Sequence, residues 1–311
     1  MRGVVYKSTG SWYLVKTSDG EYIQARIKGI FRLDKLKTTN PIAVGDIVNI
    51  NHDENNDWVI DEIAERRNYI IRQSPKNRTA RHIIASNLDQ LVIVATIAQP
   101  RTSSGFIDRC LTTAEAYQIP AIIIFNKQDL LREKDLAKLE EYVSIYKKAG
   151  YTTLNTSIIT KENISEFKQL LTNKTSLIAG HSGVGKSSLI NSILPDLDLR
   201  TNIISSVHQK GTHTTTFAEM HDLEFGGRII DTPGIKEFGV LDIEKHELSR
   251  YFPDFLPFIP ACKYSNCLHI NEPQCGIIDA LEKGALSFER YKNYCNILED
   301  IDGAMKSWEL K

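Results

Sequence analysis

Much of what this chain does not contain narrows its reading. No apolar run approaches the ~20 residues of a membrane-spanning helix. The start, Met1-Arg2-Gly3-Val4-Val5-Tyr6, lacks the basic-then-apolar pattern of a secretory leader. The expectation is a cytoplasmic protein with no membrane partner. Neither sign of charge is in excess: 38 Lys and Arg oppose 39 Asp and Glu, a formal net charge of −1. Any polyanion site must therefore come from local asymmetry. Arg66 to Arg81 holds six basic residues and no acid, and Arg2 to Ile50 holds eight against four. Charge alone leaves a polyanion site and a solvated face equally open. Cysteine is scarce, five in 311 residues, yet three of the five lie between positions 262 and 275. In a cytosolic chain that clustering favours a bound metal over disulfides. The length suffices for two or three domains.

What is present is organised around Gly180-His181-Ser182-Gly183-Val184-Gly185-Lys186-Ser187-Ser188. It reads G-x-x-x-x-G-K-S. An apolar run, Thr175 to Ala179, suits a buried strand before it, and Lys186 to Leu194 suits a helix after it. Glycines let successive N–H groups converge on phosphate oxygens, and the helix N-terminus adds a favourable dipole. Lys186 would reach the β- and γ-phosphates, and the Ser187 hydroxyl would ligate Mg²⁺.

Upstream, Gln90 to Ile97 and Ala121 to Phe125 read as buried strands, while Phe106 to Gln118 and Asp135 to Ala149 read as helices. That alternation predicts a parallel α/β sheet, whose ligands sit beyond the carboxyl ends of the strands. One strand delivers Asn126-Lys127-Gln128-Asp129. A carboxylate at Asp129 accepts from the N1–H and 2-amino group of guanine; adenine offers no such donor pair. Asn126 would brace the loop and the Lys127 stem would cover the base. Ser157 stands where a short base-supporting loop would lie, and a plain turn is an equal reading of it.

Downstream, Gly211-Thr212-His213-Thr214-Thr215-Thr216 is a polar stretch, and Arg228-Ile229-Ile230 leads into Asp231-Thr232-Pro233-Gly234. Asp231 would hold Mg²⁺ through water, the Gly234 N–H would meet the γ-phosphate, and Thr215 would complete the metal shell. Ile235 follows where many GTPases carry a water-orienting glutamine. His213 is the candidate for placing the water or accepting its proton; bracing the loop is the other role open to it. The order is guanine tetrad, P-loop, switches, which is a circular permutation of the common GTPase arrangement.

The two ends are different in kind. Residues 1 to about 65 carry five short β-rich runs separated by turns such as Ser18-Asp19-Gly20 and Val44-Gly45-Asp46, predicting an OB-fold barrel. Tyr6, Trp12, Tyr13 and Tyr22 interleave there with basic residues; they can stack on RNA or fill the barrel. In the tail, Cys262, Cys267, His269 and Cys275 form a closed ligand set suited to one structural Zn²⁺. Cys110 and Cys295 stand apart as packing residues. The segment from Gly276 to Leu310 has helical spacing.

On these motifs the chain resembles the circularly permuted ribosome-small-subunit-dependent GTPase A family along nearly its whole length. The resemblance implies a barrel at 1–66, a permuted GTPase domain at 67–238 and a zinc-binding helical domain at 239–311. It implies hydrolysis of GTP to GDP stimulated by the small ribosomal subunit, with rRNA contacted by the barrel and the zinc domain late in assembly. A monomer is expected. Two other readings stay open: a GTP-dependent RNA tether or chaperone with negligible catalysis, and an ATP-using nucleic-acid enzyme with an accidental tetrad.

Overall fold

The computed structural model describes residues 1–27, 41–73, 81–194, 218–231 and 243–309. In chain order the strands of the first part are β1 (Arg2–Ser8), β2 (Tyr13–Thr17), β3 (Tyr22–Ile27), β4 (Ile47–His52), β5 (Trp58–Ile63), β6 (Tyr69–Gln73) and β7 (Arg81–Ser86). There follow β8 (Gln90–Ala95), α1 (Ser104–Ala116), β9 (Ala121–Asn126), α2 (Glu133–Lys148), β10 (Thr152–Thr156), α3 (Ile164–Leu171), β11 (Thr175–Ala179) and α4 (Lys186–Ile193). The last elements are β12 (Glu219–Asp222), β13 (Arg228–Asp231), α5 (Gly276–Glu282) and α6 (Phe288–Glu309). They form two compact units, one of residues 1–92 with 163–236, the other of 93–162 with 237–311.

In the first unit β1 pairs with both β2 and β4, β2 with β3, β3 with β5 and β5 with β4, so the five strands close on themselves. Alternate residues of the predicted runs fill the barrel: Val5, Tyr13, Val15, Ala25, Val48, Ile50 and Ile60 are all buried. Closure leaves few unpaired strand edges. Gly45 permits the turn that closes it, because its φ is +94° and a Cβ there would stand 2.2 Å from the Ser86 carbonyl oxygen. Asp46, fully buried, takes both nitrogens of the Arg66 fork at 2.7 and 2.6 Å and the Ser86 hydroxyl at 2.6 Å. Arg67 donates to Asp89 at 2.6 Å. The first two cations of the basic stretch thus hold the fold, and β6 and β7 form a hairpin that its charge pattern concealed. Tyr13 is buried as a barrel filler and Tyr6 is buried where it meets Asp222 of β12, whereas Trp12 and Tyr22 are about half exposed.

Beyond the barrel the same unit carries β11 parallel to β13, with β12 antiparallel beside β13 and bonded to β1 on its other side. In the second unit β10 is parallel to β9. The isoleucines of β9 are nearly solvent-free, each worth roughly 1.5–3 kcal/mol of burial. Helix α1 begins with the Ser103 hydroxyl accepting the Phe106 N–H at 3.2 Å, a cap that satisfies one of the orphan donors. It buries Phe106, Ile107, Cys110, Leu111 and Ala114, the spacing of a single helix face. Helix α2 carries Glu133 and Asp135 in its first turn and Lys147 and Lys148 in its last, matching the helix dipole. The tail packs Leu248, Phe252, Phe255, Ile277, Tyr294 and Ile297 into one core with Cys267 and Cys275 at its edge.

Candidate functional site

Gly180 to Ser188 and Asp231 lie in the first unit. β11 is buried along most of its length and ends at Ala179. The chain then turns through Gly180, Gly183 and Gly185 with φ of 146°, 84° and 95°, values that side-chain-bearing residues rarely adopt. Gly185 caps α4, so the N–H groups of Lys186, Ser187 and Ser188 open the helix without intrahelical acceptors. Lys186 bends back into the loop: its Nζ donates to the carbonyls of Gly180 at 2.7 Å and His181 at 2.8 Å. Burial pulls its ammonium below the ordinary lysine range, and the Asp231 carboxylate opposes that shift. The half-buried His181 imidazole is likewise held below its usual range, by burial and then by the charge of Lys186. A cation that is partly desolvated gains most from an incoming phosphate. Asp231 stands at the end of β13, whose Arg228, Ile229 and Ile230 pair with Thr175, Ser176 and Leu177 of β11. Ser187, Ser188 and Asp231 are half-buried, Ser182 and Gly183 exposed, and Val184 buried beneath the loop.

Asn126 to Asp129 and Ser157 lie in the second unit. Asn126 closes β9 and is 2% exposed, and the Thr156 hydroxyl donates to its Oδ1 at 3.1 Å. Lys127 takes the left-handed conformation, φ +66°, which turns the chain sharply out of the strand. Its Nζ donates to the Gln99 carbonyl at 2.8 Å, while the Gln128 side-chain amide donates to the Phe125 carbonyl at 3.0 Å. Asp129 is exposed, and the fully buried Ser157 donates its hydroxyl to Asp129 Oδ1 at 2.5 Å. The Thr160 N–H donates to the same Ser157 oxygen at 3.2 Å. Ser157 thus both holds Asp129 and opens the turn over 158–161. Thr156 and Gln99 were not legible as supports, because neither belongs to a local motif.

The third group is Cys262, Cys267, His269 and Cys275, whose ligand atoms all lie within 4.8 Å of one another. His269 Nδ1 is 3.6 Å from Cys262 Sγ and 3.3 Å from Cys275 Sγ, and those two sulfurs are 4.0 Å apart. A tetrahedral zinc with bonds of about 2.0–2.3 Å separates its ligand atoms by roughly 3.5–3.8 Å, so the residues fit. Burial pushes the Cys267 thiol up to about 12 and also raises that of Cys275. Burial lowers His269, leaving a neutral imidazole to serve as ligand. Glu272 holds the intervening loop: its carboxylate accepts the N–H groups of Leu268, Ile270 and Asn271 at 2.7, 2.8 and 3.1 Å. Tyr291 and Tyr294 donate to the carbonyls of His269 and Leu268, each at 2.8 Å. These three positions were missed from sequence because their partners are backbone groups.

His213, Thr215 and Gly234, with the rest of Gly211 to Thr216 and of the run after Asp231, lie outside the described residues.

The family profile described as RsgA GTPase matches residues 63–241, and that of the RsgA N-terminal domain matches residues 2–60. The small ribosomal subunit biogenesis GTPase RsgA of Flavobacterium psychrophilum is 50% identical over 305 residues, covering 97% of this chain and 94% of the relative. The crystal structure of YjeQ from Thermotoga maritima matches with a TM-score of 0.79 at 36% identity, covering 97% of this chain and 98% of that one. YloQ, described as a circularly permuted GTPase, matches with a TM-score of 0.73 at 31% identity over 97% and 95% of the two chains. With its P-loop standing after its guanine tetrad, this chain belongs to the RsgA GTPase family and is a GTP hydrolase.

Proposed function

We propose that the chain hydrolyses GTP to GDP and phosphate in biogenesis of the small ribosomal subunit, with that subunit as its partner and stimulator. The name of the Flavobacterium relative supports the partner. rRNA is contacted by the barrel at 1–66 and by the part from 239 onward, which flank the GTPase domain at 67–238. The protein acts as a monomer in the cytoplasm, at a late assembly checkpoint.

The observation that carries the reading is the Asp129 carboxylate, fixed on one oxygen by Ser157 at 2.5 Å beside the buried Asn126. A pre-oriented carboxylate accepts the N1–H and 2-amino donors of guanine without first being ordered. Lys127 and Gln128 shape the loop under the base. Gly180, His181, Ser182, Gly183, Val184, Gly185, Lys186, Ser187 and Ser188 bind the phosphates, with Lys186 on the β- and γ-oxygens. Ser187, Thr215 and Asp231 would hold Mg²⁺, which when bound would supply positive charge beside the phosphates. Gly234 donates its N–H to the γ-phosphate. Water attacks the γ-phosphorus, the bond to the β–γ bridging oxygen breaks, and the water proton leaves with phosphate. His213 places that water, since Ile235 has no group to do so. One Zn²⁺ on Cys262, Cys267, His269 and Cys275 is structural, because four protein ligands leave no open position.

The test is cosedimentation with small and large ribosomal subunits under GDP and under a non-hydrolysable GTP analogue. Binding to the small subunit that strengthens with the analogue is expected. Equal binding under both nucleotides, or preference for the large subunit, overturns the reading.

A further inference from the structure

The two nucleotide-sensing motifs of the first unit are joined by β12 and β13, which stand in sequence between Gly211–Thr216 and Asp231–Gly234. β12 is only four residues long, and both its ends are fastened to the barrel. At its start Glu219 is the backbone partner of Lys7 on β1, and the Lys7 ammonium donates to its carboxylate at 2.8 Å. At its end Asp222 gathers three donors from three barrel strands. Tyr6 of β1 donates to Oδ1 at 2.6 Å; Lys16 of β2 and Tyr22 of β3 donate to Oδ2 at 2.5 and 3.1 Å. Arg228 Nε approaches Oδ1 from the β13 side at 3.5 Å. The Lys16 ammonium also lies over the rings of Tyr6 and Tyr22, 5.6 and 5.2 Å from their centroids.

On its other edge β12 sets the register of β13. Asp222 faces Arg228, and Glu219 faces Asp231, the candidate magnesium ligand. Lys7, Glu219 and Asp231 are therefore one transverse row across β1, β12 and β13. A rotation of the barrel strands displaces Asp222 and Glu219, and through the ladder it displaces Asp231. Hydrogen-bonded strands with a fixed register transmit such a shift because slipping by one residue would invert every side chain.

We propose that Asp222, with the Lys7–Glu219 pair, positions Asp231, so that what the barrel binds and how the P-loop unit holds Mg²⁺ are coupled. Asp222 acts as a positioning residue and does not touch the nucleotide. The coupling rests on the reading of Asp231 as a magnesium ligand and of the barrel as an RNA contact. Linkage makes it reciprocal: nucleotide with Mg²⁺ must alter the affinity of the barrel for RNA by the same factor.

The experiment compares the full chain with Asp222→Asn, which keeps the side-chain shape, and with Lys7→Gln, a half-exposed site where folding is spared. Three quantities are read: the Mg²⁺ concentration half-saturating binding of the GTP analogue, basal turnover at saturating Mg²⁺, and the ratio of small-subunit affinities under analogue and GDP. For Asp222→Asn, half-saturating Mg²⁺ rises about fivefold or more and the affinity ratio falls toward one. Basal turnover stays within about twofold. Lys7→Gln moves the same quantities by less. Unchanged Mg²⁺ dependence in both variants overturns the proposal. So does an equal fall in basal turnover and in Mg²⁺-saturated analogue binding, which marks a merely structural contact. If the unaltered chain itself shows no nucleotide-dependent subunit binding, the proposed function fails instead, and the Mg²⁺ titration, which needs no subunit, still decides the coupling.

Discussion

Asp129 and Ser157 are 28 positions apart in the chain, yet a 2.5 Å hydrogen bond fixes one oxygen of the carboxylate proposed to read the base. In the proposed site guanine would present two donors to Asp129, whereas xanthine replaces the 2-amino group by an acceptor. Asp129→Asn removes the negative charge and offers a donor in its place. GDP affinity falls by roughly a hundredfold, the loss of two charge-assisted hydrogen bonds at about 1.5–3 kcal/mol each less what the amide recovers. Xanthosine diphosphate binding rises, and calorimetric titration of both nucleotides reads the exchange. Ser157→Ala leaves the carboxylate in place but unfixed, so GDP affinity falls about fivefold to tenfold, near 1–1.4 kcal/mol, with the preference for guanine over adenine kept. If Ser157→Ala instead abolishes that preference, the serine reads the base itself.

At the scale of elements, the parts legible from sequence were those whose signal is local. The P-loop is strand, glycines and helix start within a few residues, and β8, β9, α1 and α2 announce themselves by apolar runs or helical spacing. The tetrad and the Cys/His set are short patterns of the same kind. What escaped were supports reached from afar: Thr156 on Asn126, Asp46 on Arg66, Glu272 on three amides. The β6–β7 hairpin escaped because its arginines read as a charge patch. The metal element yields its own prediction. Without an ion, burial holds the Cys267 and Cys275 thiols above their ordinary value, so both are protonated at pH 7. His269 is neutral there, since burial lowers it. Zinc uptake must release at least two protons, and affinity of the stripped protein for zinc must rise by at least about a hundredfold per pH unit near neutrality. Calorimetry in buffers of different ionisation enthalpy counts the protons; a release of fewer than one means these thiols are not the ligands. Glu272→Gln keeps the ligands but weakens three backbone anchors, so zinc is lost to a chelator about ten times faster while the bound stoichiometry stays at one.

At the scale of the whole molecule, the order of the chain and its compact units do not coincide. The second unit is made of residues 93–162 and 237–311, so β9 with the Asn126–Asp129 loop and the Cys/His-bearing tail belong to one body. The fastening is Arg290 of α6, which is 1% exposed. It donates to Asp108 of α1 at 2.5 Å and, with two nitrogens, to Asp254 at 2.6 and 3.1 Å. The guanidinium lies 4.8 Å from the ring centroid of Phe252, and Asn293 donates to the second Asp108 oxygen at 2.6 Å. Two buried or nearly buried carboxylates thus depend on one cation. Arg290→Met strands them, at a cost of about 3–5 kcal/mol, because each carboxylate loses its countercharge without regaining water. The triple variant Asp108→Leu, Asp254→Leu, Arg290→Met removes all three charges and recovers most of that loss. Thermal and denaturant unfolding measure both. The consequence reaches the nucleotide: α1 packs in the same unit as β9 and the Asn126–Asp129 loop. A chain ended at residue 238 uncovers the face of α1 that α6 packs against, so it is expected to bind GDP more weakly than the full chain. Full GDP affinity in the shortened chain would mean that the tail is an appended module, and that Arg290 stabilises it alone.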